Sequence, residues 1–154
     1  MNRIMMSCLM GLGLVGTVAL ADDVWMTDFA QAKKAAAEKN RPILADFSGS
    51  DWCGWCIKLD KEVFSQDEFK KFAADHVILF LADFPRKTEL PAAMKQQNEE
   101  LAAKYRIEGF PTVLLLDSKG TVLAQTGYQP GGAAAYVKHI AELLKPKKDA
   151  AKGK

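Results

Sequence analysis

The sequence predicts an α/β fold: a central mixed β-sheet flanked by helices, ending in a hairpin and a last helix. Three patterns predict it. Apolar runs of strand length at residues 43–47 and 77–82 alternate with segments whose apolar residues recur at helical spacing. Two further short runs, 112–116 and 121–125, flank the turn residues Asp117-Ser118-Lys119-Gly120, a connection of hairpin length. A helix with Ala133, Val137, Ile140 and Leu144 on one face then closes the domain. Alternation of this kind packs a sheet between helices.

Taken in order, residues 29–40 are alanine-rich with Lys33, Lys34 and Lys39 to one side, a surface helix that Pro42 stops. The run 43–47 is a strand with one acid, Asp46, inside it. Ser48-Gly49-Ser50-Asp51 is a loop. A helix starting at Cys53 follows, with Cys56, Leu59 and Val63 on one face and Lys58, Lys61 and Glu62 elsewhere. Ser65-Gln66-Asp67-Glu68 has the form of a capping box and starts a helix with Phe69 and Phe72 inward. His76 opens the next strand, whose unbroken apolar run fits a strand covered on both faces. Residues 84–93 are a polar connection with Pro85 and Pro91, after which Met94, Gln97, Leu101 and Tyr105 keep helical spacing.

The chain has 154 residues and a formal net charge of +2, the size of one domain with one core. No basic field favours nucleic acid, and no internal repeat is visible. Met1-Asn2-Arg3, a nearly uncharged run over 4–20 and Ala19-Leu20-Ala21 before Asp22-Asp23 have the order of a secretory signal peptide. The chain therefore divides into a signal peptide at 1–21, a domain at 22–145 and a disordered Lys-rich tail at 146–154 without apolar periodicity. The run is short for a membrane span and broken by Gly11, Gly13 and Gly16, so membrane contact is expected only through an uncleaved leader. The expected location is the periplasm or the medium. Of the three cysteines, Cys8 lies in the leader, which leaves Cys53 and Cys56.

Those two sit in Trp52-Cys53-Gly54-Trp55-Cys56. Residues three apart share a helix face, so a helix starting at Cys53 brings the sulfurs within bonding reach. Its free N–H groups and positive dipole end favour the Cys53 thiolate, the nucleophilic form, and nothing bulky upstream hides it. The same spacing is also half of a zinc site. Here there is no second pair, and His76 and His139 have no metal-like spacing to each other or to the cysteines. Ile57 directly after the motif excludes c-type haem attachment. In an exported chain the pair reads as redox chemistry or as a soft-metal carrier, copper for example.

The order of strand with Asp46, loop, tryptophan-flanked cysteine pair, strand ending at Asp83, then Gly109-Phe110-Pro111-Thr112 and a hairpin resembles the thioredoxin superfamily over roughly residues 24–145. The long connection before Gln97-Asn98 and the Gly49-Ser50-Asp51 ahead of the motif are similar to exported bacterial thioredoxin-like proteins of the disulfide-isomerase or interchange group. The resemblance implies a thioredoxin-like fold and no cofactor beyond the redox-active disulfide of Cys53 and Cys56. It makes Cys53 the attacking thiol and Cys56 the resolving one. It makes Phe110–Pro111 a cis peptide facing the pair, where backbone left unpaired can join an extended substrate segment. Asp46 matches a buried acid that relays the proton of Cys56, and burial would raise its pKa toward neutrality.

There are two departures: the loop from Asp46 to Cys53 is one residue longer, and Leu79 stands where a lysine often accompanies the acid. Trp55 replaces the proline of reducing thioredoxins and the histidine of many oxidising relatives. Its indole lends the thiolate no charge, which implies an intermediate or reducing potential. Trp55 is expected at an exposed helix start, touching partner chains together with Gly54, Phe110 and Pro111, while Trp52 shapes the site beside the cysteines. The expected protein is an exported thiol–disulfide oxidoreductase that reduces or isomerises protein disulfides. Its partners would be substrate proteins with disulfides and a redox partner protein. A soft-metal carrier and a non-catalytic partner-holding module are the alternatives.

Overall fold

A computed structural model describes residues 25–146. The expected leader, and all but the first residue of the expected tail, lie outside the described residues. Helix α1 (Phe29–Lys39) is capped by Asp28, whose carboxylate accepts the N–H of Gln31. It ends at Asn40, which turns left-handed at φ 51 and returns its N–H to the carbonyls of Ala36 and Ala37. The stop is thus an asparagine cap and not Pro42, because asparagine tolerates that backbone region. There follow β1 (Ile43–Ser48), α2 (Gly54–Leu59), a π-helical turn (Asp60–Phe64), α3 (Asp67–His76), β2 (Ile78–Asp83), α4 (Ala92–Tyr105), β3 (Thr112–Leu116), β4 (Val122–Thr126) and α5 (Gly132–Leu143).

The sheet is mixed, in the order β2-β1-β3-β4. β1 runs parallel to β2 and antiparallel to β3, and β3 pairs antiparallel with β4. Every residue of β1 is buried, because its two faces feed two separate cores. Ile43, Ala45 and Phe47 pack with Phe29, Phe80 and Leu101 under α1 and α4. Leu44 packs with Leu59, Val63, Phe69, Tyr136 and Ile140 under α2, α3 and α5. Strand side chains alternate between faces, so Asp46 points to the second side, toward the helix that carries the cysteines.

Four local expectations change. The turn Asp60–Phe64 prolongs α2, so Ser65 ends that helix and does not start the next. Its hydroxyl donates to Asp60 at 3.1 Å, and Gln66 is the cap of α3 with no side-chain bond, so the capping box does not form. His76 closes α3, its ring stacked on Phe72 at 4.5 Å, and opens no strand. In α5 the fully buried side chain beside Ala133 and Ile140 is Tyr136, with Val137 only half-buried. In α4 the buried pair is Leu101 and Asn98.

Asn98 explains itself by its bonds. Its amide donates to the carbonyl of Asp83, the last residue of β2, at 2.9 Å and accepts from Gln97 at 3.1 Å. Removing that donor leaves the carbonyl of half-buried Asp83 short of a partner. Asn98→Ala should therefore lower stability by about 1–3 kcal/mol, read as a shift in the urea midpoint with unchanged slope; an unshifted midpoint would show the bond to be replaceable.

Candidate active site

Between the end of β1 at Ser48 and the start of α2 at Gly54 the chain turns at the C-terminal end of an inner strand, and two carboxylates hold the turn. Asp51 accepts the backbone N–H groups of Arg86 (2.9 Å), Lys87 (2.7 Å) and Thr88 (3.1 Å). Those bonds, Arg86 first, hold its carboxyl below the usual range. In return, Asp83 accepts the N–H of Ser50 at 2.9 Å and its hydroxyl at 2.6 Å. The indole of Trp52 lies over Gly49, where a Cβ would stand 2.5 Å from the ring. It donates its N–H to the Phe84 carbonyl at 2.7 Å and meets Phe110 edge-on at 6.0 Å.

Cys53 and Cys56 form a disulfide with Cα atoms 5.2 Å apart, in the ordinary span for such a bridge. Cys53 is the N-cap of α2, and its Sγ accepts the N–H of Cys56 at 3.3 Å. The Cys56 Sγ accepts the N–H of Gly49 at 3.5 Å. The first cysteine is not left open as expected: Cys53 is 7 % exposed and Cys56 4 %. The loop folds back on the motif, with the Cys53 N–H bonded to the Gly49 carbonyl at 2.8 Å. Position, not exposure, separates the two sulfurs. Cys53 sits at the positive helix end, and Cys56 lies one turn in, on the wall of a cavity.

That cavity, about 210 Å³, is lined by Asp46, Ser48, Cys56, Asp60, Phe64 and Leu81 among others. Asp46 is 5 % exposed, and its Oδ1 has no hydrogen-bond partner among the described residues. Burial, then the negative charges of Asp60 and Asp83, push its pKa up to about 8. The residue paired beside Asp46 on β2 is Leu81 and not Leu79, which pairs with Leu44. Either way an apolar side chain takes the place of a cation. Asp60 was missed among the apolar residues of the helix face, although it lies four residues after Cys56 and helical spacing puts the two on one side.

Within the motif Trp55 is 58 % exposed, with its ring 5.1 Å from that of Tyr128. The Lys58 ammonium lies 5.1 Å from both ring centres and 3.9 Å from Glu62, which accepts the Tyr128 hydroxyl at 2.7 Å. The Phe110–Pro111 peptide is cis. Phe110 stacks on Phe84 at 5.0 Å, and pairing of β3 with β1 begins only at Thr112. Gly127 packs against the Pro111 carbonyl, where a Cβ would stand at 3.0 Å, and its own carbonyl accepts the Tyr136 hydroxyl at 3.2 Å. A Cβ at Gly54 would meet nothing within 4 Å. Trp52 thus meets Phe110, Trp55 meets Tyr128 next to the Gly127 that touches Pro111, and Asp46 shares a cavity with Cys56. Tyr128 escaped sequence reasoning because nothing local ties an isolated loop tyrosine to a helix far upstream. Among the described residues no group of three His, Cys, Asp or Glu side chains is placed to hold a metal ion.

Residues 29–141 match the model of a thioredoxin-like domain. The chain is 40% identical over 128 residues to the disulfide bond reductase DsbH of Chlamydia pneumoniae, covering 83% of this chain and 76% of that one. A solved structure of a DsbH oxidoreductase superposes with a TM-score of 0.77 at 38% identity, covering 90% of this chain and 95% of that one. The thioredoxin-related protein DsbJ of Chlamydia pneumoniae is 29% identical over 79% of this chain, which spans 37% of its length.

The Asp46 carboxyl gives a signed pH effect. Between an ordinary pKa of 3.8 in the unfolded chain and about 8 in the folded one, the native state holds a proton that the unfolded state has lost. Stability should therefore be fullest below about pH 4 for this group and fall as pH rises through about 8. Urea midpoints of the oxidised protein across that range should show the decline, and Asp46→Asn should flatten it. Parallel curves for the two proteins would mean that the carboxyl titrates normally.

Proposed function

The chain belongs to the thioredoxin-like family, and from that premise we propose that Cys53 and Cys56 are the working centre of an exported disulfide reductase. It is a thiol–disulfide oxidoreductase, similar along most of its length to one whose name records disulfide-bond reduction. One observation carries the assignment of roles: the disulfide joins a helix-capping cysteine to one that shares a cavity with a buried acid.

In the reduced protein the Cys53 thiolate, favoured by the N–H groups and positive end of α2, attacks one sulfur of a substrate disulfide. A mixed disulfide forms on Cys53, and the other substrate sulfur leaves as a thiolate and takes a proton. Cys56 then loses its proton to Asp46, whose pKa near neutrality suits it both to accept and to return one. The Cys56 thiolate attacks the Cys53 sulfur, the substrate's second thiolate departs, and the Cys53–Cys56 disulfide is made. The pair ends two electrons poorer, and a dithiol redox partner must restore it. The cysteines carry the electrons themselves.

The flanks of the motif support a polypeptide substrate. The backbone before the cis proline takes no part in the sheet, which leaves it for an extended chain to pair with. Trp55 and Tyr128 offer aromatic surface across the motif. The signal-like leader supports action in the periplasm or medium. No helix among the described residues is long and apolar enough to cross a membrane.

Removing the resolving thiol should stall the cycle, because release within the molecule far outpaces release by an outside thiol. Cys56→Ser expressed with its leader should accumulate adducts on non-reducing gels that dithiothreitol collapses, while Cys53→Ser gives few or none; the opposite pattern would reverse the roles. With no histidine between the cysteines, equilibration with glutathione should give a potential below about −150 mV. A value near the strong-oxidant end, about −120 mV, would instead make the protein an oxidase.

A further inference from the structure

The geometry points to Arg86 as an anion-recognising residue that selects substrates carrying an acidic side chain close in sequence to their cystine. The inference rests on the oxidoreductase reading and adds a substrate class to it.

Arg86 is fixed at both ends. Its backbone N–H is held by Asp51 at 2.9 Å, and its guanidinium lies 3.6 Å from the centre of the Trp52 ring. Asp51, Trp52 and Cys53 are consecutive, so Arg86 is attached to the two residues that lead into the attacking sulfur. A guanidinium stacked by its face keeps its edge N–H donors free, and those donors match a carboxylate as a fork.

Nearby acids leave that fork unused. Arg86 makes no ion pair among the described residues. The Asp51 carboxylate is taken by three N–H groups and Asp83 by Ser50, while Glu99 pairs with Lys95 at 4.0 Å. Only Glu89 stands without such a partner, against the charges of Arg86 and Lys87. Arg86, Lys87, Glu89, Lys95 and Glu99 line an open recess of about 590 Å³ between the connection after β2 and α4, ample for a side chain and the backbone that bears it. From the recess a row of rings, Phe84, Phe110 and Trp52, leads to the cis proline. A polypeptide bonded to Cys53 and lying along that row passes the guanidinium, and a carboxylate there meets an unpaired positive charge in a fixed place.

The test uses two cystine peptides that differ only in Glu or Lys two residues from the disulfide. The purified protein should show a KM about two- to fivefold lower for the Glu peptide, the upper part of the range for an exposed ion pair. Sodium chloride at about 0.5 M should erode the preference. Arg86→Gln should abolish the preference, Arg86→Glu should invert it, and Arg86→Lys should keep part of it. All three should leave the reduction potential and the rate of reaction with dithiothreitol unchanged. Equal KM values for the two peptides in the unmodified protein overturn the inference. So does an Arg86→Gln effect that falls equally on both peptides or moves the potential, since that marks a structural prop for Trp52 or a partner of the thiolate. If neither peptide is reduced, the oxidoreductase reading falls and this inference with it; equal turnover of both sinks this inference alone.

Discussion

The site depends on how the central strand hands the chain to the cysteine helix, and an exchange of carboxylates settles it. Asp51, before the motif, is cradled by three N–H groups after β2, while Asp83, at the end of β2, holds Ser50, before the motif. Each loop supplies the acid that the other needs. The consequence is mutual rigidity: the loop that sets Cys53 at the cap of α2 cannot move without releasing the connection that carries Phe84 and Arg86. A single reach of either kind would leave a hinge. Two reaches in opposite directions, with Trp52 bonded to Phe84 between them, make a clamp.

Against that rigidity stands one unresolved charge. An acid on the buried face of a strand covered on both sides is expensive unless it is paired or neutral, and Asp46 is not paired. Its neighbour on β2 is leucine, and the charges acting on it, Asp60 and Asp83, are of like sign. Every one of these influences pushes the proton onto the carboxyl. The cavity alongside gives that carboxyl access to Cys56, so the same burial that strains the core keeps a proton beside the second sulfur. A hydrophobic residue would pack better there and would do nothing for the thiol.

The fold was legible because its signals are local. The strand runs at 43–47 and 112–116 meet the observed β1 and β3 within a residue, and the helical spacing before Tyr105 finds the end of α4. The cysteine pair, the cis peptide before Pro111, the exposure of Trp55 and the burial of Asp46 were legible for another reason: motif and order carried them together. What could not be read depends on the register between distant segments. Asp60, four residues after Cys56, shares its helix face and so reaches the cavity, while the π-helical turn that prolongs α2 past Asp60 makes Ser65 the end of a helix where the local pattern suggests a start. The expectation of an open Cys53 failed because four loop residues that read as ordinary turn formers fold back onto the motif. Asn98 and Arg86 gain meaning from carbonyls and rings more than ten residues away, and no local periodicity points there.

The sulfur of Cys53 doubles as the cap of α2, accepting the N–H of Cys56, so one atom serves both the helix and the chemistry. Oxidation and folding then become two legs of a thermodynamic square. A neutral disulfide sulfur is a weak acceptor, whereas a thiolate in the same place would bring a full negative charge to the helix end. Whatever that charge adds to the helix in the reduced state returns as electron affinity, about 30 mV for each 1.4 kcal/mol by which the reduced fold is the more stable. Residues on α2 that never touch a substrate therefore set the voltage at which the protein gives up its electrons. Tuning the helix tunes the couple.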